Sequence, residues 1–248
     1  MFKAETSNPK IFKTVFSTIS SIIDEVELKA DNEGIRLNTI DRERFTFISL
    51  EMTPHLFDEY VCDEPVTMSF DVFEFMKAMK LVSTDDRLIL SCDNYKLTLT
   101  FEGIYQSKFE IGFIDIIRDN PHPPELSYDV ELEIESKTLN EMLNKLSKIS
   151  GKEVAGTIEI DQDNFKVYSA NHLIKSDFSY LHGEKVDDNI KTTFTLERMI
   201  NILKASSLTD ITELKLSNDH PINIIFKPQA EDFTLEFILA PRIENEEE

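Results

Sequence analysis

The chain contains two nested internal repeats, and these limit its fold more strongly than any other feature of the sequence. The segment 9–22 matches the segment 136–149, and both carry apolar residues at helical spacing. The aligned apolar pairs are Phe12 with Leu139, Val15 with Met142, Phe16 with Leu143, Ile19 with Leu146 and Ile22 with Ile149. A strand–turn–strand pattern follows each copy. The same helix and hairpin are therefore predicted in each half of the chain.

A second repeat relates the segment 69–101 to the segment 193–226. Its aligned residues are Phe70 with Phe194, Met76 with Ile200, Met79 with Leu203 and Lys80 with Lys204. Start signals precede all four helical patterns: Asn8 before Pro9, Asp71 with Glu74 as a capping box, Ser136, and Thr195. We therefore expect an α+β fold of two similar domains, each a duplicated βαβββ unit.

The stretch between the two halves is rich in proline. Residues 113–130 include Pro121, Pro123 and Pro124, three of the nine prolines in the chain, and this pattern is typical of an exposed, stiffened connector. The expected organisation is an N-terminal domain at 1–116, a connector at 117–130, a C-terminal domain at 131–243 and an acidic tail at 244–248.

The charge balance opposes nucleic-acid binding, because 26 Lys and Arg stand against 47 Asp and Glu, for a net charge of −21. The predicted helices are the exception. The segments 9–23, 71–81, 136–150 and 195–206 together carry +5, which leaves −26 for the remainder. Two interpretations of the polar helix faces stay open. They are ordinary solvated faces, or the four faces line one surface whose lysines contact DNA phosphates without recognising bases.

Motifs for catalysis or metal binding are missing from the sequence. Cys62 and Cys92 lie thirty residues apart, so neither a disulfide framework nor a zinc site is indicated. Only six glycines are present, and there is no phosphate loop, nucleophile elbow or HExxH motif. The five histidines are scattered: His55, His122, His172, His182 and His220. The acidic pairs Asp85–Asp86, Asp161–Asp163 and Asp187–Asp188 fall in predicted turns, where Asp bends the chain. We expect a non-enzymatic protein without metal or cofactor.

The sequence shows no secretory signal pattern and no apolar run near the ~18 residues of a membrane span. We therefore expect a soluble intracellular protein with no membrane partner.

Five segments resemble the proliferating cell nuclear antigen (PCNA) type of DNA sliding clamp, with archaeal features. They are MFKAE (1–5), TIDRERF (39–45), YVCDEPVTMSFDVFEFMKAMK (60–80), PELSY (124–128) and LAPRIENEEE (239–248). The ending is the most specific, since LAP-(K/R)-I followed by acids is typical of the family. The resemblance implies the DNA-clamp fold, with helices lining the interior of a ring and sheets outside.

The resemblance also implies a head-to-tail trimer, with a homotrimer expected, that encircles duplex DNA independently of sequence. Ring closure would pair edge strands near 106–116 and 174–182 of neighbouring copies. The interface residues it implies are Phe109, Leu146, Ile174 and Phe178. The DNA-facing residues it implies are Lys13, Lys77, Lys80, Lys148 and Lys204, with Lys10 and Lys145 as substitutes for basic positions that are absent. Ser20, Glu141 and Asn144 stand where relatives often carry Lys or Arg, which predicts weak contact.

A further implied site is a hydrophobic pocket under the connector. It would receive Gln-x-x-(Leu/Ile/Met)-x-x-aromatic-aromatic peptides from DNA polymerase, flap nuclease, ligase and clamp loader. Its matching residues are Ile40, Arg44, Phe45, Pro123, Pro221, Ile238, Leu239, Ala240 and Pro241. Ile40, Arg44 and Phe45 depart from the usual family residues, so partner preference is expected to differ.

Two other functions remain as alternatives, a checkpoint-type clamp subunit and an acidic interaction scaffold that never encircles DNA. A clamp of archaeal origin would lie in the cytoplasm with the nucleoid, and a eukaryotic one in the nucleus.

Overall fold

The four predicted helix-and-hairpin repeats are present in the fold. The computed structural model describes residues 1–116, 121–162, 164–170, 174–181, 189–230 and 232–242. The α-helices are α1 (Pro9–Ile19), α2 (Val72–Met79), α3 (Ser136–Ser150) and α4 (Leu196–Ile202), and a 3-10 helix (Leu203–Ser207) continues α4. The strands are β1 (Phe2–Thr6), β2 (Glu25–Asp31), β3 (Gly34–Ile40), β4 (Thr46–Met52), β5 (Glu59–Cys62), β6 (Val66–Asp71), β7 (Arg87–Cys92), β8 (Lys96–Glu102), β9 (Gln106–Gly112), β10 (Val130–Glu135), β11 (Ala155–Asp161), β12 (Asn164–Ala170), β13 (Lys175–Leu181), β14 (Ile190–Thr195), β15 (Ile211–Leu216), β16 (Ile222–Phe226) and β17 (Phe233–Leu239). In chain order they run βαβββ four times, with β5 as one additional short strand, so the α+β prediction is confirmed.

The chain divides into two compact units. Unit 1 comprises Met1–Pro123 together with Pro228–Leu235, and unit 2 comprises Pro124–Lys227 together with the residues from Glu236 onward. The division between Pro123 and Pro124 falls inside the predicted connector. The assignment of 228–235 to unit 1 was not predicted. The domain boundaries proposed from the sequence stay predictions.

Unit 1 contains two antiparallel groups of strands. One has the order β5-β1-β7-β8-β9, and the other has the order β4-β3-β2-β6. Helices α1 and α2 contact each other, and α2 also contacts β6 and β9. Their shared core is aromatic: the rings of Phe16 and Phe75 lie 4.5 Å apart, and those of Phe70 and Phe75 lie 5.5 Å apart. These large buried rings anchor the two helices to the strands.

Unit 2 repeats this plan, with Leu139 and Leu143 buried where unit 1 has Phe12 and Phe16. Strands β13-β12-β11-β14 form one sheet, and β10, β15, β16 and the last residues of β17 form the other group. Helix α3 contacts α4, β12 and β13. In strand β10, apolar and acidic residues alternate, as expected for a strand with one buried face. Val130, Leu132 and Ile134 are buried, whereas the alternating glutamates are exposed.

In the first repeat, which relates 9–22 to 136–149, the alignment locates the core correctly at all but one of its helical pairs. Phe12 with Leu139, Phe16 with Leu143, and Ile19 with Leu146 are all no more than 2% exposed. The pair Ile22 and Ile149 is an exception, since Ile149 is 45% exposed. Helix α1 ends earlier than predicted, because the hydroxyls of Ser20 and Ser21 donate to carbonyls one turn back.

The helix caps agree with the sequence in one case. The Asp71 carboxylate accepts the Phe73 N–H at 2.7 Å, as predicted, but Glu74 pairs with Lys77 and does not complete a capping box. The side chains of Asn8 and Thr195 make no capping hydrogen bond. Ser136 lies within the first turn, where its hydroxyl is buried against Thr212, 2.7 Å away. The start signals therefore locate the helix starts correctly, since Asn8 and Thr195 are N-cap residues and α3 begins at Ser136, although these three side chains do not cap the helices.

Candidate functional surfaces

In unit 1, the exposed helix faces carry lysines. Helix α1 has Lys10, which is exposed, and Lys13, which is half-buried, with no acidic residue along its length. On α2, Lys77 lies 2.5 Å from the Glu74 carboxylate, whose hydrogen bond raises the pKa of Lys77. Lys80 is exposed at the end of α2. Three of these four lysines have no carboxylate within ion-pair distance among the described residues.

In unit 2, the arrangement on the helices is similar. On α3, Lys145 lies 3.4 Å from Glu141, whereas Lys148 in the last turn is exposed and has no ion-pair partner in the described part of the chain. Lys204 follows α4 and is exposed. Partial burial lowers the pKa of Lys204, and the nearby Lys152 ammonium lowers it further.

Lys152 is a cation that sequence reasoning missed. It lies just beyond α3, so the helical spacing that identified the other lysines does not reach it. The backbone holds it in place, because the carbonyls of Lys152 and Val154 accept the N–H groups of Glu197 and Leu196 at the start of α4. A segment that caps α4 therefore adds positive charge near Lys204.

The predicted edge strands lie at sheet edges. Among the described strands, β9 is outermost in its five-stranded sheet and β13 is outermost in its four-stranded sheet. Phe109 on β9 and Phe178 on β13 are half-buried, and Ile174, just before β13, is 41% exposed. Leu146 differs, because it is 0% exposed and belongs to the core of unit 2. The prediction that Leu146 contacts a neighbouring subunit is therefore corrected.

The pocket residues of unit 1 lie on and after β3. Ile40 ends that strand and is half-buried. Arg44 adopts the left-handed conformation at φ 60°, and Phe45 is 46% exposed. The buried Asp41 carboxylate, which sequence reasoning did not identify, accepts the N–H groups of Phe45 and Thr46 at 2.7 Å each. This turn presents Phe45 to solvent. Pro123, also predicted for the pocket, is exposed.

The pocket residues of unit 2 are more buried. Ile238 and Leu239 are 7% and 0% exposed, whereas Pro221, Ala240 and Pro241 are half-buried. The chain after Pro241 is held by a hydrogen bond from the Arg242 N–H to the Thr193 carbonyl at 2.7 Å. Leu239 is thus a core residue, whereas solvent can reach part of Pro221, Ala240 and Pro241.

The acidic and histidine side chains that were considered for catalysis or metal binding lie only partly within the described residues. The described residues contain no group of three or more His, Cys, Asp or Glu side chains placed to hold a metal ion. Asp86, one of the predicted turn acids, accepts the Ser83 N–H at 2.8 Å. Of the other acidic pairs, Asp163, Asp187 and Asp188 lie outside the described residues, as do His172 and His182. No helix among the described residues is long and apolar enough to cross a membrane.

Comparison with known proteins gives a full-length match. Residues 1–117 match the proliferating cell nuclear antigen N-terminal domain, and residues 123–242 match its C-terminal domain. The chain is 38% identical over 247 residues to proteins named DNA polymerase sliding clamp from Methanobrevibacter smithii and Methanothermobacter thermautotrophicus, with 100% of both chains covered in each case.

The chain belongs to the PCNA family of sliding clamps. The fold agrees, because the PCNA crystal structure from Entamoeba histolytica superposes with a TM-score of 0.90 at 22% identity, covering 98% of this chain and 99% of that one. A PCNA2–PCNA3 complex from Sulfolobus tokodaii gives a TM-score of 0.89 at 19% identity, covering 98% and 100%. The two archaeal PCNA relatives at 38% identity indicate an archaeal origin.

Proposed function

We propose that three copies of this chain close into a ring around duplex DNA and hold replication and repair enzymes on it by binding alone. The observation that carries the proposal is the separation of charge. Lysines that have no ion-pair partner among the described residues lie on the exposed sides of helices in both units, whereas exposed strand positions such as those of β10 carry acids. In a clamp whose helices face inward, this distribution puts positive charge toward the phosphates and negative charge outside.

The expected DNA contact is weak and independent of base sequence. Lysine ammonium groups meet phosphates as point charges, and they carry no information about base edges. Two of the seven lysines are paired with glutamates on their own helices, which lowers the positive charge that the DNA would meet. A closed ring keeps its position on DNA by topology, so strong contact is not needed.

Retention on circular DNA tests this proposal. The protein is loaded onto closed circular plasmid DNA, and the retained amount is measured before and after a restriction enzyme cuts the circle. The expected result is a particle of three chains that stays on the circle and leaves the linear product. A monomeric particle that is not retained contradicts the ring and favours the acidic scaffold.

The exposed Phe45 turn supports a second part of the proposal, the docking of clamp-binding peptides from polymerase, flap nuclease, ligase and clamp loader. The half-exposed Phe45 ring offers apolar surface on a turn whose backbone N–H groups donate to the buried Asp41 carboxylate. Phe45→Ala is expected to weaken binding of a Gln-x-x-Leu-x-x-Phe-Phe peptide about tenfold or more. Tyr95→Ala, which removes another exposed aromatic ring, is the control. Equal loss of binding in both variants contradicts this site.

The archaeal relatives also favour a cytoplasmic location with the nucleoid. A tagged copy that separates from the nucleoid during replication contradicts that location.

A further inference from the structure

Helix α2 carries an aromatic ring on its exposed face. The buried residues of this helix are Val72, Phe75, Met76, Ala78 and Met79. Phe73 lies in the first turn and is 47% exposed, whereas Phe75 is 1% exposed. The Asp71 carboxylate holds the backbone there by accepting the Phe73 N–H at 2.7 Å. Among the described residues the Phe73 ring has no aromatic or cation–π partner, so its exposed surface faces solvent.

Two lysines flank this ring on the same face of α2. Phe73, Lys77 and Lys80 are spaced i, i+4 and i+7, and both lysines are exposed. At about 100° per residue, Lys77 projects about 40° to one side of Phe73 and Lys80 about 20° to the other. Lys77 pairs with Glu74 at 2.5 Å, whereas Lys80 has no ion-pair partner in the described part of the chain. The ring therefore lies between two cations.

The other three helices lack this combination. Phe12 and Phe16 of α1 are each 1% exposed, and neither α3 nor α4 contains an aromatic residue. The second repeat has Glu197, an exposed acid, at the position that matches Phe73. A single exposed apolar residue is ordinary on a protein surface. An exposed ring between two lysines is more specific, because it offers an apolar face and positive charge to the same ligand.

The chemistry of this face matches a single strand of nucleic acid. Surfaces that bind single strands combine cations for the phosphates with aromatic side chains on which bases stack. In a duplex, each base is stacked between its neighbours, and a side chain reaches only the base edges in the grooves and the backbone. An unpaired strand exposes its base faces, and every base has one, so such contact does not depend on sequence.

We propose that Phe73, flanked by Lys77 and Lys80, is a stacking site for the bases of single-stranded DNA. Unpaired bases stack on the Phe73 ring while the two ammonium groups contact the neighbouring phosphates. This inference rests on the function proposed above, in which the helices face DNA, and it adds an unpaired strand as a second form of DNA that unit 1 contacts.

Tryptophan fluorescence tests the stacking directly. The chain contains no tryptophan, so Phe73→Trp introduces a single indole at this site. Stacking on a base quenches indole fluorescence. The probes are a thymidine oligonucleotide and a long blunt duplex at the same nucleotide concentration and low salt. We expect quenching by the oligonucleotide to exceed quenching by the duplex at least about threefold. The control is Tyr95→Trp, at a 79% exposed position outside the helices, where the two probes should not differ.

A second substitution measures the effect on affinity without a new fluorophore. Phe73→Leu keeps an apolar side chain but removes the aromatic face. It is expected to weaken binding of the labelled oligonucleotide about tenfold, with duplex binding unchanged within about twofold and the melting temperature unchanged. Tyr95→Leu is the matched control and should leave both affinities unchanged. An equal loss for the oligonucleotide and the duplex in Phe73→Leu would show contact with the backbone and would overturn the stacking.

The outcomes separate this inference from the ring. Retention on circular DNA without quenching by the oligonucleotide overturns the stacking site and leaves the ring standing. Quenching by the oligonucleotide without retention on the circle supports the stacking site and contradicts the ring. Equal quenching of Phe73→Trp by both probes, or equal quenching of Phe73→Trp and Tyr95→Trp by the oligonucleotide, overturns the stacking site. Absence of both retention and quenching overturns both proposals.

Discussion

Two glutamates on the helices hold lysines that would otherwise be available to phosphates. Glu74 lies 2.5 Å from Lys77, and Glu141 lies 3.4 Å from Lys145. The double variant Glu74→Gln, Glu141→Gln keeps the shape of both side chains, removes two negative charges and releases both lysines. If the helices line the channel, the variant should bind duplex DNA more tightly and with a stronger dependence on salt.

The size of the effect follows from the number of lysines released. A ring of three copies gains two free lysines per copy. If one of them per copy reaches a phosphate, the slope of log Kobs against log salt steepens by about 2.7, at about 0.9 per contact. Between 50 and 200 mM salt, the variant would then lose about fortyfold more affinity than the parent.

The assay is fluorescence anisotropy of a short labelled duplex titrated with protein at several salt concentrations. The matched control is Glu33→Gln, Glu131→Gln, which makes the same charge change at positions outside the helices. Arg36 and Lys215 each keep a second carboxylate partner there, Asp31 and Glu213. An unchanged slope in the helix variant, or an equal change in the control, refutes the assignment of the helix faces to DNA.

Three predictions concern stability, each checked by urea unfolding with circular dichroism. Leu146→Ala should lower the free energy of unfolding by about 2–5 kcal/mol, because the side chain is fully buried. Loss of the trimer with unchanged stability would instead indicate that Leu146 contacts a neighbouring subunit. Gly34→Ala should cost about 2 kcal/mol or more, since φ is 134° and an added Cβ would lie 2.0 Å from the Met52 carbonyl oxygen; unchanged stability would contradict that strain. Tyr128→Phe should leave stability unchanged or raise it by about 1 kcal/mol, because the hydroxyl is buried with no hydrogen-bond partner among the described residues. Burial, with a smaller contribution from Glu236, raises the pKa of Tyr128 to about 12, so the hydroxyl stays protonated during the assay. A large loss of stability in Tyr128→Phe would show that the hydroxyl has a hydrogen-bond partner.

The repeated helix and hairpin pattern could be read from the sequence because it is local. Apolar residues at helical spacing identify the buried face of α1 and α3 whatever packs against them, and Phe16 and Leu143 are both buried as the alignment requires. The hairpin between β2 and β3 follows from Asp31 and Gly34 at its turn. The lysines on the helix faces follow from the same spacing.

Other features depend on contacts between residues far apart in the chain. Lys152 lies close to Lys204 because its backbone carbonyl caps α4, and no local pattern relates these segments. Asp41 organises the Phe45 turn through two hydrogen bonds that sequence spacing does not reveal.

The periodicity of this chain thus identifies which faces of its helices and strands are apolar, since that depends on each element alone. It does not identify what covers each face. Leu146 matched an interface position in the sequence, yet the packing of unit 2 buries it completely. The segment Pro228–Leu235 interrupts unit 2 in the chain but is grouped with unit 1, where the Thr53 N–H donates to the Asp232 carbonyl at 2.9 Å. Burial is a property of the assembled elements, and for that reason these assignments required the tertiary structure.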